Sequence, residues 1–254
     1  KLRKEKIDIK IYFNIYIKMA LSNLDDFLKL HSVNKGQQFT HTRIGDKDSK
    51  ISGGLYNISD NKKFLDKYYI HVFENHNKEY LTEKQVVENA PLLIDIDMRY
   101  DTDIKEKQHT KEHIIDMMMI FANKILKICD IKDNQEIEIF IMEKNDVNIL
   151  DTKTKDGIHM IIGLRCHKAL HVMIRDTVMY ELKEIWDDLP LTNSAEDLVD
   201  EGIIKGIVNW QMYGSRKPNC KAYLIKYHYK ITWKKEKDDW DILEYDIDSF
   251  NTKK

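Results

Sequence analysis

Pro91–Tyr100, Pro-Leu-Leu-Ile-Asp-Ile-Asp-Met-Arg-Tyr, constrains this chain more than any other stretch. Pro91 suits a strand entry, and the apolar run behind it reads as a buried strand. Side chains two apart on a strand share a face, so Asp95, Asp97 and Arg99 point one way while Ile94, Ile96 and Met98 point the other. Two carboxylates at that spacing repel, and a divalent cation with a taste for oxygen ligands, Mg²⁺ or Mn²⁺, removes the repulsion. The plain alternative is an acidic strand end facing solvent. Arg99 could contact a phosphate on that face or orient a carboxylate.

A second strand fits the first. Gly157-Ile158-His159-Met160-Ile161-Ile162-Gly163 alternates so that Gly157 and His159 share a face, and the glycine leaves room for a ligand beside the imidazole. Between the two strands, Thr110–Cys129 carries Ile114, Met118, Phe121, Ala122, Ile125 and Cys129 at helical spacing. Ile137–Met142 reads as a strand, Val147–Lys155 as a polar loop, Leu170–Leu189 as another amphipathic helix, and Ala222–Thr232 with Trp240–Ile247 as a hairpin. Upstream, Leu24, Phe27 and Leu28 mark a short helix capped by Ser22 or Asn23, and Asn61–Phe73 another helix. Arg43, on the stretch Phe39–Ile44, could reach a phosphate or be an ordinary solvated arginine.

Leu198-Val199-Asp200 brings a further acid behind apolar residues. Asn209–Pro218 then ends in Tyr-Gly-Ser-Arg-Lys-Pro, where Ser215, Arg216 and Lys217 follow a glycine turn. A hydroxyl and two cations beside backbone amides suit the oxygens of a triphosphate; a basic loop closing a hairpin is the simpler reading.

Composition narrows the classes. Lys+Arg 41 against Asp+Glu 43 leaves a net charge of −2, so a surface for a polyanion must be local. Three separated cysteines suggest no disulfide framework and a reducing, intracellular setting. Cys166, His167, His171 and Cys220 include zinc-ligand types without the paired spacings of zinc ribbons or fingers. No stretch approaches the ~20 apolar residues of a membrane span. Lys1–Lys18 is too charged for a signal peptide core, and Met19-Ala20 looks like a natural start, so 1–18 is expected to be an extension without a role and 19–250 a single catalytic domain.

Asp95-Ile96-Asp97, Gly157-Ile158-His159 and Asp200, in that order, resemble the motif series of archaeo-eukaryotic primases. The nearer resemblance is to the primase portion of primase–helicases of giant viruses and poxviruses, carried by Leu93–Tyr100, Asp200–Gly202 and Asn209–Pro218, within a similarity running from about Phe39 to Tyr229. The resemblance implies an α+β fold: a two-lobed core with a split antiparallel, RNA-recognition-like sheet flanked by helices. It implies primer synthesis on single-stranded DNA from nucleoside triphosphates with two Mg²⁺ or Mn²⁺ ions, at a viral replication site in the host cytoplasm or nucleus. Asp95, Asp97 and Asp200 would hold the metals, with Asp197 and Asn209 as alternatives for the third position. His159, beside Gly157, would bind phosphates, and Ser215, Arg216 and Lys217 would balance triphosphate charge. The helicase partner is expected elsewhere, since no G-x-x-x-x-G-K-[ST] phosphate loop occurs here. A metal-dependent nuclease, a nucleotide-sugar transferase and an inactive nucleic-acid-binding module are the competing classes.

Overall fold

The computed structural model describes residues 23–251; the expected extension at Lys1–Lys18, the start at Met19-Ala20 and the Ser22 cap lie outside the described residues. Asn23 caps the first described helix, α1 (Leu24–Leu30), its side chain accepting from the Asp26 amide at 2.9 Å. Strands β1 (Ser32–Val33), β2 (His41–Arg43) and β3 (Gly54–Tyr56) follow. Asp60 then caps α2 (Asn61–Tyr69), which continues through a π turn over Ile70–Glu74. With β4 (Leu81–Glu83) and a late segment, β9 (Trp210–Gln211), these strands make a five-stranded sheet in the order β1-β3-β2-β4-β9. Phe27, Phe64, Tyr68 and Leu81 fill the small core beneath it.

A second sheet is larger. It is built from β5 (Ala90–Tyr100), β6 (Glu136–Glu143), β7 (Asn148–Ile149), β8 (Thr154–Cys166), β10 (Leu224–Lys234) and β11 (Asp239–Tyr245). The strand order is β11-β10-β6-β8-β5, with β7 paired to β8, and every pairing is antiparallel. Helices α3 (Lys111–Ile128) and α4 (Lys168–Ile185) pack on one face over Ile94, Ile96, Met98, Ile139, Met160 and Ile162. The alternation that buries those residues turns Asp95, Asp97 and Arg99 to the other face. The fold is therefore α+β with two antiparallel sheets, as expected. Short helices α5 (Ala195–Leu198) and α6 (Glu201–Ile204) lead the chain from the large sheet back to β9.

Boundaries shift from the sequence reading, and the helix expected over Leu170–Leu189 runs Lys168–Ile185. The stretch taken as a polar loop over 147–155 contains β7 and the first residues of β8, because Thr154 and Lys155 pair with Tyr100 and Arg99. The helix expected over Asn61–Phe73 is α-helical only to Tyr69. Where the two sheets meet, Leu93, Met142, Ile203, Trp210 and Tyr223 form a third apolar cluster. A cavity opens beside it. Among the described residues, no helix is long and apolar enough to cross a membrane.

Candidate active site between the two sheets

The cavity, about 670 Å³, lies within the size range of small-ligand pockets, and both sheets supply its walls. Strand register places the acids. Asp95 lies opposite His159, Asp97 opposite Gly157 and Arg99 opposite Lys155 across the β5–β8 pair. The third acid arrives through the backbone: Val199 bridges Ile96, and the Asp200 amide donates to Asp95 O at 2.9 Å. Asp200 also caps α6, accepting from the Ile203 amide at 2.8 Å. Residues 105 positions apart in sequence are thereby held side by side.

Burial, then the charges of Asp97 and Asp200, pushes the Asp95 carboxyl up to about 7. Its Oδ1 is buried with no hydrogen-bond partner among the described residues, and His159 Nε2 lies 3.5 Å from it. The imidazole is itself held down to about 3 by burial and by Lys144 and Lys217, so it is neutral at pH 7. Tyr223 stacks on His159 with ring centroids 3.6 Å apart, and Trp210 sits tilted at 4.6 Å. The Lys144 ammonium lies over the Tyr223 ring at 4.5 Å.

Cations share the cavity with these acids. Lys144, Arg216 and Lys217 all line the cavity. Among the described residues none of the three makes an ion pair, and Arg216 Nε is buried without a hydrogen-bond partner. Gly214, at φ +83°, makes the turn that delivers Arg216 and Lys217; a Cβ there would meet Val72 and Phe73 carbons at 2.8 Å.

Several sequence expectations move. Arg43 reaches no phosphate: its guanidinium is buried, bonded twice to Glu79 at 2.7 Å and once to Asp25 at 2.5 Å. On β2 its side chain faces the small core, opposite to the cavity-facing Thr42. Ser215 is sealed off as well, its Oγ 2.8 Å from Tyr68 Oη and accepting from the Leu81 amide at 3.2 Å. Arg99 shares the acidic face but binds Asp197 at 2.7 Å, beyond the cavity wall. That pair takes up Asp197, while Asn209 lines the cavity on the opposite sheet, so Asp200 is the acid beside Asp95. Gly157 leaves room for a protein group and not for a ligand, because a Cβ there would fall 2.5 Å from Tyr223 Oη. The suggested zinc residues scatter: His167 caps α4, His171 is fully buried and Cys220 lines the cavity.

Lys144 and Tyr223 escaped the sequence reading. A lysine just after a strand looks like any turn charge, and Tyr223 is one tyrosine among thirteen. Only the Gly157 gap hinted that a partner residue fills the space beside His159.

Among the described residues, no three His, Cys, Asp or Glu side chains are arranged to hold one ion by themselves. Mg²⁺ commonly takes only one or two carboxylates, with water and substrate phosphate completing its shell. The orphaned Asp95 oxygen and the adjacent acids fit a hard cation shared with a phosphate-bearing ligand in that way.

Two comparisons with known proteins bear on the family of the chain. The model of the C962R protein N-terminal AEP domain, AEP denoting archaeo-eukaryotic primase, matches residues 46–229. The chain is also 27% identical over 180 residues to the putative helicase L207/L206 of Acanthamoeba polyphaga mimivirus, a match covering 68% of this chain. It spans only 18% of that relative's length. With most of its length matched by the family model, including Asp95, Asp97, Asp200 and the cavity cations, the chain belongs to the C962R-type archaeo-eukaryotic primase domain family.

Proposed function

We propose that this chain is the catalytic primase module of a primase–helicase system, joining nucleoside triphosphates into a primer on single-stranded DNA with two Mg²⁺ or Mn²⁺ ions. The observation that carries the reading is that one cavity is lined by three acids and by three cations without ion-pair partners among the described residues. Asp95, Asp97 and Asp200 line it together with Lys144, Arg216 and Lys217, which make no ion pair among the described residues although Lys144 and Lys217 are near enough to act on Asp95. Of the cavity cations, Lys155 pairs with Asp97 at 3.9 Å. A metal–triphosphate brings a partner for each, a cation for the acids and a polyanion for the unpaired cations.

In the reaction a 3′-oxygen attacks the α-phosphorus and pyrophosphate leaves. Two ions held by the acids would supply charge stabilisation at the attacking and departing oxygens. Asp95 and Asp97 would hold them, with Asp200 completing the acidic set. Lys144, Arg216 and Lys217 would neutralise the triphosphate and the pyrophosphate as it forms. Neutral His159, fixed by Tyr223, would donate a hydrogen bond to a phosphate oxygen. The cavity cations would also favour the template backbone, with affinity falling as salt rises. A helicase partner domain and a viral replication site in the host cell belong to the same proposal, supported by the helicase name of the relative.

Asp95→Ala with Asp97→Ala, assayed on single-stranded DNA with nucleoside triphosphates and Mg²⁺ or Mn²⁺, tests this. Loss of charge-stabilising contacts of this kind typically costs ~10²–10³ in rate each. Undiminished primer synthesis by the folded double variant refutes the site. Template cleavage by the wild type without nucleotides identifies a nuclease instead, and binding without any product an inactive module.

A further inference from the structure

The small sheet presents a neutral polar row to the cavity. Thr42, Thr82 and Gln211 are register partners on the adjacent strands β2, β4 and β9, and all three line the cavity. Their neighbours His41, Arg43 and Leu81 turn into the small lobe. Thr42 and Thr82 hydroxyls lie 2.6 Å apart, and Asn209 Nδ2 donates to them at 3.3 and 3.2 Å.

Counting donors and acceptors shows what is left over. The two amide hydrogens of Asn209 go to the two threonines, and one hydroxyl hydrogen bridges the threonine pair. One hydroxyl hydrogen, one hydroxyl lone pair and the Asn209 carbonyl oxygen remain without partners among the described residues, on side chains that border the cavity. A group able both to give and to accept hydrogen bonds, and carrying no charge, is the complement of this set.

The rest of the cavity is suited to other parts of a nucleotide. Acids and cations match metal and phosphates. Ile44, Leu150, Val208 and Ile207, the last 76% exposed, give an apolar rim for the faces of a base. Sugar hydroxyls are what remains.

We infer that Thr42, Thr82 and Asn209 form a subsite for the ribose hydroxyls of the nucleotide, giving the protein a preference for ribonucleotides over 2′-deoxyribonucleotides. The inference rests on the nucleotide reading of the cavity. A site built to hydrogen-bond a hydroxyl disfavours the analogue lacking it, because its own polar groups are left unpaired. For one neutral hydrogen bond the expected preference is about 3- to 10-fold.

Calorimetric titration of the full chain with ATP and with dATP, in Mg²⁺ and without template, tests it. ATP should bind about 3- to 10-fold more tightly. Thr82→Val should bring the two nucleotides level by weakening ATP alone, and Thr82→Ser should restore the difference; Thr42→Val serves if Thr82→Val does not fold. Equal binding of ATP and dATP by the wild type, or a preference that survives loss of either hydroxyl, overturns the subsite and leaves the nucleotide reading standing. Failure of both nucleotides to bind overturns the two together.

Discussion

Replacing Asp95 by asparagine should make the protein more stable while abolishing its chemistry. A carboxyl that ordinarily titrates near 3.8 and here holds its proton to about 7 binds that proton more tightly in the folded state. By linkage, stability is greatest with the proton on, below the unfolded value, and declines as pH rises from 3.8 to 7. At 1.36 kcal/mol per pH unit the loss reaches at most about 4 kcal/mol above pH 7. The side chain keeps 18% exposure, which lowers this ceiling. Asparagine has the shape without the charge, so Asp95→Asn should gain about 1 kcal/mol at pH 5 and about 3 at pH 8. Urea unfolding at the two pH values measures both. Mg²⁺ or Mn²⁺ should raise the midpoint of the wild type at pH 8 and leave the variant nearly unmoved. A variant whose advantage does not grow with pH, or that is less stable at pH 8, would show that Asp95 is held by favourable native contacts, and the argument from repelling acids would fail.

Other substitutions separate structure from chemistry. Arg43→Met should cost about 3–5 kcal/mol by leaving Glu79 buried without its cation, while nucleotide affinity of the folded protein stays unchanged; calorimetry showing intact stability and weakened nucleotide binding would return Arg43 to the phosphate. Gly157→Ala should cost about 1–3 kcal/mol by driving a methyl group into Tyr223 Oη and Ile96 O, with part of the loss recovered in a Tyr223→Phe background. Thermal melts that show no cost would mean the space beside His159 is open. Lys144→Met should leave the fold intact and raise the KM for nucleoside triphosphate, and an unchanged KM would remove Lys144 from the binding set.

Much of the frame was readable in advance. Alternation in β5 and β8 assigned a buried and an open face to each strand, and the two long helices announced themselves by their apolar stripes. The acids and His159 were legible because charged or titratable residues stood inside apolar runs, where burial makes them costly. Arg43 and Ser215 were misread for one reason. Each belongs to a residue type that binds phosphate when exposed and ties strands or loops together when buried, and a short sequence window does not show which. Lys144 and Tyr223 had the opposite problem, being unremarkable in their own surroundings.

The amino-acid order alone settled which residues share a strand face, since a period of two follows from backbone geometry and is local. It therefore put Asp95 with Asp97, and Gly157 with His159. Pairing β5 with β8 in one register, bending the chain so that Asp200 donates its amide to Asp95, and folding the small sheet over the large one are long-range events. Their outcome depends on how whole apolar faces fit together, so only the tertiary structure decided that acids, cations and a neutral polar row face a single cavity.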